Sequence, residues 1–450
     1  MSKIFCTKEQ FAESISNYAS NKCFEDIEIN PSDPYHRPIR RNDLAKLDCT
    51  KDVQIADVFG NKNLILNKLL LTIYEQDLLF LDQNYTNPHS REAFKSFYDP
   101  YFVANGKALR PFIEKLVFGF LDNEIEIIGK WNKDKLNQYL QSVITEQEST
   151  KSELCTSIEN LDKPELAGKM LLIQMAPDFL SEASAMARTL PGAYGEEQSE
   201  IMKVFIDEYG YGVHHAKHST LFESTLESIG MNKNLHHYYD SYLPTSLMLV
   251  NYFHYVCGNK HNWFKYLGAL YYTEASIPHF NKQISAVLRK ILPGIDTKYF
   301  DEHVHIDQHH RRMVLDKIIG KSIDRYGESI IDDILHGFES FRLLQTLADK
   351  DLIEQMHFSS QLKSTPQYKP VGEKKYFTES LNELTSAHIH SESELFTVIA
   401  GELDFNANGV QSIVLGAGEK IIIPKGRLHG TRIRSNSAKY CVESICISEG

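Results

Sequence analysis

The run from Tyr299 to Met313 places His303, Asp307 and His310 at i, i+4 and i+7. On a helix of 3.6 residues per turn, that spacing sets two imidazoles and a carboxylate along one narrow stripe. A chain that spends three polar side chains on one helical face must supply them with a partner. Nitrogen and oxygen donors in this mixture suit iron, manganese or zinc. His305 and His309 fall off the stripe and read as structural.

The rest of the middle third supports a bundle around that helix. Apolar periodicity predicts helices over 164–175, 178–189, 195–209, 219–229, 238–256, 263–274, 284–292, 298–319 and 327–347. Breakers at Pro191-Gly192, Gly230, Gly258, Pro278 and Pro293-Gly294 separate several of them. Four further donors lie on these helices or just beyond them: Glu182, Glu208, His218 and Glu274. His215 stands three residues before His218. A lone helical glutamate is usually a solvated charge, and His214 and His215 could equally be surface residues. Carboxylates and histidines converging between facing helices are nevertheless how di-iron carboxylate centres are built.

The flanks differ in texture. Residues 1–150 read as a helical N-terminal domain with no catalytic constellation, and with an irregular, proline-bearing stretch from Asn30 to Arg41. His36, Arg37, Arg40 and Arg41 there could bind an anion, but a solvated basic loop is the stronger reading. Residues 151–350 form the helical bundle. Residues 351–375 read as a linker, with Gly, Pro, Ser, Thr and Lys dominating from Ser359. Residues 376–450 carry short apolar runs at 396–400, 402–405, 412–415, 420–423 and 440–447, the pattern of an all-β barrel. The expected fold class is therefore multidomain α+β.

Within the β region, His388, His390, Glu394 and His429 form a second donor set. Alternate strand residues face one way, so a His-x-His pair can offer both rings to one metal.

The net charge of −12 argues against a nucleic-acid partner. The segment nearest to a membrane span, Leu64 to Leu81, is interrupted by Lys68, Glu75, Gln76 and Asp77, and no membrane partner is expected. Seven scattered cysteines without a Cys-x-x-Cys pair, and an N-terminus lacking a secretory signal, fit a cytoplasmic setting.

Taken together, Glu182, the segment Asp207-Glu208-Tyr-Gly-Tyr-Gly212 leading to His218, and the helix with His303, Asp307 and His310 resemble the haem-oxygenase-like di-iron oxygenases. The resemblance implies two irons held by Glu182, Glu208, His218, His303, Asp307 and His310, and implies no haem. Some relatives place a Glu where His215 stands. Others use an intervening helix, for which Glu274 is the candidate. The segment with His388, His390, Glu394 and Gly401, and the one with Gly418, Pro424, Gly426 and His429, are similar to the two cupin motifs. Asn382 replaces the usual opening Gly, and Ile433 the usual closing Asn. This match implies one further metal, taken as Fe(II).

The order of the three parts resembles that of the N-nitrosourea-forming enzymes. It implies a two-centre N-oxygenase using O2 and an external electron donor. Hydroxylation of a nitrogen on an amino acid, amine or guanidine would precede rearrangement in the cupin. A di-iron oxidase cleaving C–C bonds or desaturating its substrate, with an accessory cupin, is the alternative. A non-catalytic metal-dependent sensor is the third reading, disfavoured by complete donor sets in both regions. The same resemblance implies a homodimer formed through the N-terminal region. Apolar stripes such as Leu64 to Leu71 must bury either within their own domain or against a partner.

Overall fold

The computed structural model describes residues 8–25, 33–82, 85–364 and 366–447. The N-terminal third holds α1 (Lys8–Tyr18), α2 (Arg41–Leu44), α3 (Asn61–Glu75), α4 (Pro88–Phe97), α5 (Pro100–Phe118), α6 (Leu121–Glu124) and α7 (Lys133–Ser149). The bundle follows with α8 (Glu153–Asn160), α9 (Pro164–Phe179), α10 (Glu196–Glu208), α11 (His218–Ser228) and α12 (Pro244–Gly258). It continues through α13 (Trp263–Ile291), α14 (Lys298–Met313), α15 (Gly320–Tyr326) and α16 (Ile331–Ser360).

Residue 150 is not a break in packing. One hydrophobic core runs from Phe11 and Leu69 through Tyr252 and Leu270 to Phe338. The stripe from Leu64 to Leu71 is fully buried within this chain. An amide ladder ties α3 to α12: Asn67 donates to Asn63 Oδ1 at 2.7 Å, and Asn251 donates to Asn67 Oδ1 at 3.0 Å.

The expected solvated loop is also built into this core. Residues 30–32 of that stretch lie outside the described residues, but His36 is buried and Arg37 completely so. Arg37 pairs with Glu75 at 3.1 Å, and His236 approaches the other Glu75 oxygen at 2.7 Å. The guanidinium also sits over the rings of Phe97 and Tyr239. Arg40 stays partly exposed, near Asp43.

Several helices differ from the pattern predicted by periodicity. The predicted 178–189 helix ends at Phe179, and Ala183, with φ of 61°, turns the chain before a single 3-10 turn at Met186–Thr189. The 238–256 helix begins only at Pro244, whose fixed φ suits a first helical position. The two helices expected on either side of Pro278 are one, α13, because its packing on α14 and α16 outweighs a lost hydrogen bond. Two glycines allow that packing: a Cβ at Gly268 would collide with the Ile334 carbonyl, and one at Gly337 with the Lys265 carbonyl. Helix α14 passes at Val314–Ile319 into a π turn, a deformation frequent at functional sites.

The region expected as a linker from 351 is helical as far as Ser360. Beyond it, nine antiparallel strands among the described residues form two sheets. One joins β1 (Tyr368–Pro370), β9 (Ser437–Ile447), β4 (Glu394–Ala400) and β7 (Lys420–Ile423), with β2 (Lys375–Ser380) also on β9. The other runs β3 (Leu384–His388), β8 (His429–Ile433), β5 (Glu402–Asn406), β6 (Ile413–Gly416). Phe396, Val398, Leu403, Phe405 and Leu415 fill the space between them. Asn382 has φ of 66°, a left-handed conformation that Asn tolerates, so it does the work of the missing glycine.

The barrel is fastened to α16. Arg427 meets Asp351 at 3.2 Å and Glu354 at 2.9 Å, and Gln355 donates to the carbonyls of Ala407 and Leu428.

Replacing Glu75 by Gln would leave Arg37 buried without its counter-charge, at a cost of about 3–5 kcal/mol. A lower denaturation midpoint with unchanged iron content is the expected result.

Candidate metal centres

Glu182 reaches the centre of the bundle from the turn that ends α9, where Tyr299 donates to its Oε1 at 2.9 Å. One helical turn after Tyr299, His303 donates from Nδ1 to the Tyr299 carbonyl at 2.8 Å. Its Nε2 is thereby left as the acceptor, 3.2 Å from Glu182 and 3.8 Å from Glu208. His218, the first residue of α11, brings Nδ1 to 2.6 Å from Glu208 Oε2. Glu182, Glu208, His218 and His303 offer donor atoms that all lie within 4.8 Å of one another.

A second group shares Glu208. Its Oε1 lies 3.8 Å from His310 Nδ1, and Glu274 Oε2 approaches the same nitrogen at 3.1 Å. Glu208, Glu274 and His310 again fall within 4.8 Å. The two oxygens of Glu208 thus face different groups. Asp307 completes the stripe with Oδ1 3.4 Å from His310 Nδ1; both of its oxygens are buried without a hydrogen bond.

The donor set fits iron. Glu182, Glu208, Glu274 and Asp307 pair with no lysine or arginine among the described residues; three imidazoles and the Tyr299 hydroxyl face them instead. Burial opposes charge on His310, but Glu274, Asp307 and Glu208 reverse this and push it up to about 12. Burial likewise opposes charge on Glu208, yet the three imidazoles hold it down at about 2. Burial raises Glu274 to about 7. Such a pocket gathers protons to offset its excess negative charge, a task divalent cations perform when bound.

His215 is exposed in the turn His214–Ala216 and joins neither group. His305 and His309 are exposed as well. Two residues escape sequence reasoning. Asp207 accepts from His310 Nε2 at 2.8 Å, fixing which nitrogen faces the metal. It sits in the same motif as Glu208, and that adjacency was the available signal. Asp178, one turn before Glu182, carries no signal of its own; burial, then Glu182 and Glu208, raise it to about 7.

In the barrel, His388 and His429 face each other across β3 and β8, and His390 closes the triad. The Nδ1 atoms of His388 and His429 lie 3.0 and 3.2 Å from the carbonyls of Ser386 and Arg427, which turns Nε2 inward. His388 and His390 bring their Nε2 atoms within 2.9 Å, converging on one point. Burial, and then neighbouring positive charge, lower His429 to about 3 and His390 to about 4, so the rings stay neutral as metal binding requires. Glu394 stands beside this triad, its Oε1 3.2 Å from His390 Nδ1.

The backbone beside these ligands is held by the helical body. Ala387 and Ile389, on either side of His388, donate to Asp240 and Asn61, and Leu428 donates to Gln355.

Residues 169–345 match the family described as iron-containing redox enzymes, and residues 381–445 match the cupin domain. The nitrosourea synthase of Streptomyces achromogenes subsp. streptozoticus is 39% identical, over 97% of this chain and 95% of its own. An uncharacterized Bacillus subtilis protein, YdbB, is 40% identical over 57 residues, or 12% of this chain and half of its own. A solved domain of unknown function with a haem-oxygenase-like fold, from Shewanella denitrificans, is 15% identical. It covers 51% of this chain and 96% of its own, with a TM-score of 0.41. A cupin-2 protein from Shewanella frigidimarina is 23% identical over 20% of this chain and 88% of its own, with a TM-score of 0.14.

An iron-containing redox domain joined to a cupin defines the class: an oxygen-dependent iron oxidoreductase. The full-length match narrows it further, and the chain belongs to the nitrosourea synthase family. No helix among the described residues is long and apolar enough to cross a membrane.

Anaerobic loading with Fe(II) is expected to place about two irons in the bundle and about one in the barrel. His310→Ala should lose iron from the bundle alone, whereas His305→Ala and His215→Ala should retain all of it. Metal analysis of the purified variants decides this.

Proposed function

We propose that the helical centre hydroxylates a nitrogen of an amino acid, small amine or guanidine, and that the barrel centre converts the N-hydroxylated product by an oxidative rearrangement, with O2 as the oxidant, into an N-nitroso-type compound. The observation that carries this reading is the full-length relationship to a nitrosourea synthase, together with donor sets in both centres. Each hydroxylation inserts one oxygen atom of O2 into an N–H bond and releases the other as water. Two electrons per turnover come from an external donor, and two protons from solvent complete the water. Bound iron supplies the redox chemistry of oxygen reduction.

The chain's own groups set the conditions. Glu208 fixes the spacing of the two positions, Asp207 holds the His310 tautomer, and Tyr299 restrains Glu182 through its hydroxyl and His303 through its carbonyl. Burial of the whole set keeps bulk water from the reacting atoms. In the barrel, the three neutral imidazoles of His388, His390 and His429 would hold a metal, which would supply the redox chemistry of the second step. The same reading carries over a homodimer, whose mass light scattering would report.

Replacing both His388 and His390 by Ala separates the steps. The variant is expected to accumulate a product heavier than substrate by whole oxygen atoms and to form no N-nitroso compound. Mass spectrometry of the reaction checks it. Loss of all oxidation in a folded variant with an iron-loaded bundle would overturn the two-step order.

A further inference from the structure

The basic, proline-bearing loop of the N-terminal region leaves one arginine unexplained. Arg37 is committed to the core, to Glu75 and to two aromatic rings. Arg40, three residues on, is only partly buried. Its ion pair with Asp43 is long, at 3.9 Å, and its side chain makes no hydrogen bond among the described residues. The backbone around it is nevertheless fixed. Ile39 donates to the Phe24 carbonyl at 3.3 Å, and the Arg40 carbonyl accepts from Asp43 and Leu44 at 3.0 and 3.2 Å.

A relay of bonds ties this loop to the barrel. Lys68 on α3 donates to the Pro38 carbonyl at 3.1 Å and pairs with Asp240 Oδ1 at 3.2 Å. The other oxygen of Asp240 accepts from the Ala387 backbone at 2.8 Å, immediately before His388. Asn61, at the start of α3, accepts from Ile389 at 3.1 Å, immediately after it. The loop is thereby set beside the segment that carries two of the three imidazoles. Burial dominates the protonation of the barrel donors, but the Arg40 charge also acts on His388, His390, His429 and Glu394. A guanidinium felt by all four lies near the point on which the triad converges.

A permanent positive charge there is unfavourable on its own, because it repels the cation that the imidazoles would bind. An anion held between the two replaces one repulsion with two attractions. A carboxylate suits both neighbours: its oxygens are metal donors, and its planar shape matches the guanidinium fork. We propose that Arg40 completes the barrel centre as the anchor for the carboxylate of an amino-acid-derived substrate, so that the second site is built jointly by the N-terminal region and the barrel. The proposal rests on the two-step reading above and names what holds the substrate of the second step. An amine without a carboxylate would then leave the first centre as a poor substrate for the second.

The test isolates the barrel in the full chain carrying His310→Ala, loaded with Co(II), and follows acetate binding by the visible absorption of the metal. Acetamide, the neutral isostere, and imidazole, a neutral metal ligand, are the comparison probes. Acetate is expected to bind at least about tenfold more tightly than acetamide. Arg40→Gln should weaken acetate by about tenfold, leave imidazole binding unchanged and keep the barrel metal, and Arg40→Lys should recover part of the loss. Failure of acetate to bind, equal binding of acetate and acetamide, or an Arg40→Gln variant that binds acetate as its parent does would overturn the anchor. A parallel loss of acetate and imidazole binding would make Arg40 a structural residue and overturn it as well. Turnover of arginine, lysine and ornithine with O2 and an electron donor, in chains that keep His310, separates the two readings. Arg40→Gln should release an N-hydroxylated product and form less N-nitroso compound. The binding pattern without nitrogen oxidation keeps the anchor and removes the two-step reading. N-nitroso formation by Arg40→Gln at the parent rate removes the anchor alone.

Discussion

Four carboxylates in the middle of a helical bundle, facing imidazoles and one tyrosine hydroxyl rather than lysine or arginine, create a charge imbalance that the surrounding structure has to sustain. Glu208 is the pivot, because its two oxygens serve the two donor groups. The helices around it then have little freedom. Helix α14 must present one stripe, α11 must begin at His218, and α9 must stop early so that Glu182 can turn inward. Proline at 278 removes the hydrogen bond that would return to the carbonyl of Glu274, one turn back on α13. The close glycine contacts of α13 with α16 keep that helix in place despite the loss.

The barrel solves the opposite problem. Its three imidazoles are neutral and its metal position carries little built-in charge, so orientation matters more than compensation. Carbonyls of Ser386 and Arg427 select the tautomer of two rings, and Glu394 stands beside the third. The helical body takes part in this: Asp240, Asn61 and Gln355 accept from or flank the backbone next to His388 and His429. A barrel separated from these contacts would lose supports for the very residues that make it a metal site.

How much of this was legible in the sequence varied with how local the information was. The stripe His303–Asp307–His310, and the placing of His305 and His309 off it, follow from helical periodicity alone. The five strands with continuous apolar runs were equally plain. The two strands that bear His388 and His429 were not, since Leu384–His388 and His429–Ile433 are short and polar and gain their identity from pairing with each other. The turn at Glu182 was hidden because its residues are good helix formers, and only a positive φ at Ala183 ends the pattern. Arg37 read as solvated because its partners Glu75 and His236 lie far away in the chain. Asp207 and Asp178 took on roles only through neighbours brought close by folding.

Helix α16 is continuous where a flexible tether was expected. Its 30 residues span roughly 45 Å at 1.5 Å per residue. At one end Gly337 is locked to α13; at the other Gln355 and Ser359 are bonded to the barrel. It therefore acts as a strut, and the gap between the two centres is set by a rigid body. On the two-step reading proposed above, a species released at one centre would meet the other at a local concentration fixed by geometry, without the averaging a mobile linker would impose. Lengthening or shortening this one rod would change the timing of hand-over while leaving the chemistry at either end intact.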